Sequence, residues 1–199
     1  LVGSEMCIRD RDCTVLDGCI YVSASLEHPG VLVQHGPILR VVFGPRDPSY
    51  ISPILSAIQS DLCESGIDGV LSTHIQRDAL EKFSYVSPIG AAGVYLHAVA
   101  GDFQKEGPAR ELFKSMIREI SALAAAMGYP FEKDYVKINL EILSNLSADA
   151  TTSMQRDIME GKPSELDGLV MEPLRLAKKY SVSMPCYEEV ANVLCPLEF

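Results

Sequence analysis

The sequence predicts a mainly α protein, a bundle of about six or seven helices preceded by a few β-strands. Three observations carry this. β-branched residues cluster between Val15 and Gly44, apolar residues recur at helical spacing from Ile51 onward, and Pro or Gly punctuates the helical stretches.

Leu1–Arg11 (LVGSEMCIRDR) has no clean period and lacks the apolar core of a signal peptide, so it is read as a non-native leader. Gly18–Ser25, Val31–His35 and Leu39–Gly44 read as strands, separated by His28-Pro29-Gly30 and by Gly36-Pro37. Turn residues at both points predict an antiparallel meander. So few short strands do not fold alone, and they are expected to complete a sheet begun elsewhere. The polar, Pro-rich stretch Gly44–Pro53 places a domain boundary near residues 46–47, separating strands at 12–46 from a helical domain at 47–199.

Ile51, Ile54, Leu55, Ile58 and Leu62 share one helical face, ended by Gly66, and Gly69–Ser72 reads as a short strand. A long helix runs from Ile75 into the mid-nineties. Pro108–Met127 follows, with Pro in its first turn and Gly128 after its end. Asp134–Leu146, Ala150–Glu160, Leu166–Tyr180 and Cys186–Leu194 complete the set, with breaks at Gly161-Lys162-Pro163 and Met184-Pro185.

Composition narrows the function. A formal charge of -10 argues against a nucleic-acid surface and against anionic membranes. No apolar run approaches the ~18 residues that span a bilayer. Six scattered cysteines without a CxxC pair suit reduced cytoplasmic thiols, with Cys19 and Cys63 expected as small core residues. The histidines show no paired ligand spacing, so no metal is expected.

Two segments could carry chemistry. In Leu80–Phe103, Lys82 precedes an apolar stretch containing Ser87, Gly90, Ala91, Ala92 and Gly93. An ammonium held on such a surface loses hydration, which suits it to proton transfer. The ordinary reading, a lysine extending from a helix start beside a tight helix–helix contact, is favoured by spacing alone. In Thr151–Leu169, Ser153 and Asp157 share a helix face, and Ser164-Glu165-Leu166-Asp167 opens the next helix. Here too spacing alone favours a capped helix–turn–helix. Lys178-Lys179 reads as a helix C-terminus without chemistry.

Thr151–Leu169 nevertheless resembles the signature block of ketopantoate reductases (2-dehydropantoate 2-reductases). Ser153-Met154, Asp157, Gly161 and Ser164-Glu165-Leu166-Asp167 stand in its order without a gap. Leu80-Glu81-Lys82-Phe83 resembles the family's lysine-bearing stretch, and Val15–Pro37 its strands after the nucleotide-binding core. The resemblance implies a helical bundle of the 6-phosphogluconate-dehydrogenase C-terminal type, preceded by the last strands of a truncated Rossmann domain. It implies NADPH-dependent reduction of ketopantoate to pantoate in the cytoplasm, on the pantothenate and coenzyme A route, by a homodimer. Lys82 matches the lysine that protonates the substrate carbonyl, Glu165 the glutamate near cofactor and substrate, and Ser153 a substrate-binding serine. Ser87-Pro88 resembles a branch in which that serine takes part, so Ser87 is expected near the substrate.

The family's glycine-rich nucleotide loop has no counterpart here, so residues 1–199 alone are expected to bind NADPH negligibly and to be inactive. Val86, Gly90, Ala100 and Val170 stand where many members carry asparagines. Two alternatives stay open: a reductase of a different 2-oxo acid, and a non-catalytic helical dimerisation domain with its contacts on the apolar helices of Pro108–Leu146.

Overall fold

The computed structural model describes residues 15–195. The expected leader, which contains Cys7, lies outside them, as does Cys13. The chain divides into two compact units, one ending at Ala79 and the other beginning at Leu80. The expected change at 46–47 falls inside the first unit.

In the first unit β1 (Asp17–His28) pairs antiparallel with β2 (Val31–Gly44), and β3 (Asp68–Leu71) adds parallel to β2. Pro29-Gly30 makes the hairpin turn, with Gly30 at φ +86°. The expected three-strand meander is corrected at Gly36-Pro37, where β2 runs on instead of turning back. Between Val22↔Leu39 and Ala24↔Gln34, β1 advances two residues and β2 five. The surplus forms a bulge that takes Gly36 at φ +84° and the donor-less Pro37.

Helix α1 (Pro53–Glu64) crosses from β2 to β3. Its close approach is at Gly69, where a Cβ would lie 2.9 Å from Leu62 Cβ, and Gln59 Nε2 donates to the Gly69 carbonyl at 3.0 Å. Of the five apolar residues predicted to form its face only Leu55 is buried, and Ile54 is 67% exposed. Cys63 is also exposed rather than core, its thiol donating to Gly69 O at 3.6 Å. The reason is shared: β3 is four residues long and covers only a narrow strip of α1. Cys19, Val42 and Ile75 form the small core of this unit.

The second unit is all helical. Helix α2 (Ile75–Leu96) opens in the first unit and continues here. It is followed by α3 (Ala100–Gln104), α4 (Pro108–Ala126), α5 (Tyr135–Ser144), α6 (Ser153–Met159), a π-helical turn (Asp167–Met171), α7 (Glu172–Tyr180) and α8 (Pro185–Leu194). These match the predicted helices closely, except that α3 has no predicted counterpart and Leu166–Tyr180 opens on a π turn.

Residues 87–94 of α2 are all buried, as befits a central helix. Phe113, Met116, Ile117, Ile120 and Leu123 of α4 pack into the same core as Tyr187, Val190 and Ala191 of α8. The apolar face of α4 is thus used inside the unit. Phe113 meets Tyr85 and Phe103 edge-on, each at 6.0 Å between ring centres. Glu119 of α4 supplies the first turn of α8 with a cap: its carboxylate accepts from Cys186 N at 2.8 Å and Tyr187 N at 3.1 Å. Among the described residues no helix is long and apolar enough to cross a membrane.

Candidate active site

Lys82 is half-buried on α2. One helical turn later, on the side of α2 that carries Lys82, is Val86, 36% exposed. Ser153 is exposed at the start of α6, and Glu165 is exposed just before the π turn.

The segments that bear these residues meet at Gly90. A Cβ placed there would lie 3.1 Å from Met154 Cε, 3.9 Å from Thr152 Oγ1 and 3.9 Å from Leu169 Cδ1. Glycine at 90 therefore lets α2 take the start of α6 and the π turn against its backbone at one point. Gly93 repeats the device, since a Cβ there would lie 2.8 Å from the carboxamide of Gln155.

Gln155 and Thr152 form a capping box that local reading passed over, although Thr-x-x-Gln is its sequence signal. Thr152 Oγ1 accepts from Gln155 N at 3.2 Å, and Gln155 Oε1 accepts from Thr152 N at 2.9 Å. Gln155 Nε2 donates onward to Ala98 O at 2.7 Å. The start of α6 is thereby fixed to the end of α2, with Ser153 on its outer side.

Ser87 is 0% exposed. Its hydroxyl donates to Leu169 O at 2.6 Å and also bonds the Tyr187 hydroxyl. A carbonyl only accepts, so the serine proton is committed to Leu169 and Tyr187 donates to Ser87. Leu169 O has a particular need of this bond, because Pro173, four residues on, has no N–H to give it. The same proline accounts for the π turn, in which Glu172 N reaches back to Asp167 O. Asp167 is held in that turn by Arg175, with both guanidinium–carboxylate contacts at 2.9 Å, and the guanidinium keeps its carboxyl below the usual range. Ser87 thus ties the lysine-bearing helix to the segment following Glu165.

Gly90, Ala100 and Val170 are buried, Val170 completely. At three of the four positions where many family members carry asparagines, the residue is packed rather than facing an opening. A cavity of about 520 Å³, lined by Arg110 of α4 and by Val136, Lys137, Leu140 and Glu141 of α5, involves none of the predicted site residues.

The β2-to-α1 turn does not fit a pyrophosphate. The β2-to-α1 turn, Gly44–Ser52, contains a single glycine, while Pro45 and Pro48 remove amide donors that a pyrophosphate would need.

Residues 74–198 match the family described as "Ketopantoate reductase PanE/ApbA C terminal". The chain belongs to that family. The fold of 2-dehydropantoate 2-reductase from Methylococcus capsulatus superposes with a TM-score of 0.82 at 22% identity, covering 99% of this chain and 62% of that one. D-mandelate dehydrogenase in complex with NADH gives a TM-score of 0.79 at 18% identity, over 97% of this chain and 66% of the other. An uncharacterized oxidoreductase, YkpB of Bacillus subtilis (strain 168), is 22% identical over 176 residues, 88% of this chain and 58% of YkpB. The chain therefore spans less than two thirds of the length of each of these relatives. Membership supports the predicted helical domain type and the oxidoreductase class.

Proposed function

We propose that this chain is the helical part of a nicotinamide-dependent 2-oxo acid reductase, with ketopantoate as substrate and pantoate as product. The observation that carries the reading is the junction at Gly90, where the segments bearing Lys82, Ser153 and Glu165 come together. Reduction of a 2-oxo acid adds hydride to the carbonyl carbon and a proton to its oxygen. The hydride donor for this class is a nicotinamide cofactor, NADPH in the reading favoured here. Since the β2-to-α1 turn does not cradle a pyrophosphate, the proposal concerns the proton side. Lys82 carries a transferable proton and a positive charge to the oxygen on which negative charge develops. Ser153, exposed at a helix N-terminus, holds the substrate carboxylate or a hydroxyl. Glu165 orients substrate and cofactor. Ser87 acts from the core, keeping α2 and the π turn in register. Homodimer assembly and a cytoplasmic location belong to the same proposal.

A second reading is a different 2-oxo acid on the same fold. It is favoured by Gly90, Ala100 and Val170 being packed and by Val86 being an exposed apolar residue one turn from Lys82. A site without polar groups for the substrate hydroxyl loses discrimination for it.

The test uses a full-length form that spans the length of the relatives, assayed with ketopantoate against other 2-oxo acids. Ketopantoate giving the highest kcat/KM supports the first reading, and an apolar 2-oxo acid doing so supports the second. Lys82→Ala should abolish most turnover in either case. Unchanged turnover would leave a helical dimerisation domain as the better description. Residues 1–199 alone should bind NADPH negligibly, and micromolar affinity by titration would overturn that part.

A further inference from the structure

Pro88 stands in the middle of α2 and has no N–H, so the carbonyl of Ser84, four residues earlier, loses its helical partner. That carbonyl is buried, where an unmet acceptor is costly. It is met from another helix. Asn139 of α5, only 1% exposed, donates its Nδ2 to Ser84 O at 3.0 Å and to Ser84 Oγ at 3.1 Å. Ser84 Oγ in turn donates to Glu81 O at 2.7 Å. Both amide hydrogens of Asn139 are thus used on one turn of α2, and that turn, 81–84, contains Lys82.

We propose that Asn139 is a positioning residue for Lys82, fixing the direction of the lysine-bearing turn by occupying the carbonyl that Pro88 leaves free. The chemical role of Lys82 rests on the reading above; the clamp itself does not. A carboxamide is required, because the site needs two donors on a neutral group. Leucine has none, and a carboxylate would set an acceptor against two oxygens. Replacing Pro88 by alanine should relieve the requirement, since the backbone N–H that the substitution introduces can bond Ser84 O along the helix.

Hydrogen exchange on the chain tests the clamp. Asn139→Ala should speed amide exchange in residues 80–87 roughly tenfold, on the scale of one lost buried hydrogen bond, with α4 and α8 little changed. Adding Pro88→Ala should restore protection to 80–87. Should Asn139→Ala fail to fold, recovery of folding in the double variant supports the same conclusion. Exchange rising evenly over all helices, or no rescue by Pro88→Ala, overturns the proposal. In the full-length form, Asn139→Ala should lower kcat by up to the order of 10²-fold with KM little changed, and Pro88→Ala should return it, as expected for a displaced proton donor. If the exchange results hold while Lys82→Ala keeps full turnover, the clamp stands and the role given to Lys82 falls. If exchange and its rescue hold but kcat never moves with Asn139, the clamp does not position the lysine, and the proposal falls.

Discussion

Ser87 and Tyr187 meet through their hydroxyls in the core of the helical unit, although 100 residues separate them. Both are 0% exposed, and Ser87 passes the contact on to the carbonyl of Leu169. Ser87→Ala would leave two polar atoms short of a partner, the phenol and a carbonyl that Pro173 cannot serve. A destabilisation of about 1–3 kcal/mol is expected in chemical denaturation. Tyr187→Phe should cost less by itself, and much less in the Ser87→Ala background, where its hydroxyl is already orphaned. Additive effects in the double variant would contradict the bond.

What could be read locally and what could not divides along this line. Helix ends were legible because Pro108, Gly128, Asp134 and Pro185 act within a turn of their own position. The segments bearing Lys82, Ser153 and Glu165 are singled out by their resemblance to a family's motifs, since spacing alone favours an ordinary helix start and a capped helix–turn–helix. The partners of Ser87 lie 82 and 100 residues away, and Asn139 lies 55 residues from Ser84. No periodicity reports such contacts. A proline inside α2 does announce that some carbonyl needs a donor, without saying which helix supplies it. Gly36-Pro37 misled for the converse reason: the residues of a turn also suit a bulge, and pairing with β1 decides between them.

Gly93→Ala should destabilise the helical unit although alanine is the better helix former. The added methyl would sit 2.8 Å from Gln155, whose carboxamide is held by Thr152 and Ala98 and cannot withdraw without losing those bonds. A net loss of about 1–2 kcal/mol is expected after the propensity gain. Gly90→Ala meets the end of a flexible methionine at 3.1 Å and should be milder. Thermal melts of the two variants check the order, and a more stable Gly93→Ala would contradict the packing.

Tyr85 presents the opposite case to Ser87. Its hydroxyl is buried and has no hydrogen-bond partner among the described residues, and burial pushes its pKa up to about 12. The ring packs against Phe113 while the oxygen contributes nothing. Tyr85→Phe should therefore leave stability unchanged or raise it by about 1 kcal/mol, since the buried polar group is removed and the ring contact kept. A clear loss in denaturation would mean that the hydroxyl has a partner after all.

The cap on α8 makes a prediction about alkaline pH. Cys186 is pushed up from 9.0 to about 11, first by burial and then by hydrogen bonding and charge from Glu119. A thiol whose folded pKa lies above its unfolded value favours folding while it is neutral. That contribution is complete below pH 9 and is lost as pH rises through about 11. Tyr85, raised from 10.0 to about 12, continues the loss in the same direction. Stability measured by urea titration should therefore decline across this alkaline window. Glu119→Gln removes the charge yet keeps an oxygen able to accept from Cys186 N or Tyr187 N. It should bring the Cys186 thiol down, speed its alkylation near pH 9, and flatten the decline attributable to Cys186. An alkylation profile identical to that of the parent chain would show that burial alone sets the thiol, and that the Glu119 carboxylate serves α8 only as a cap.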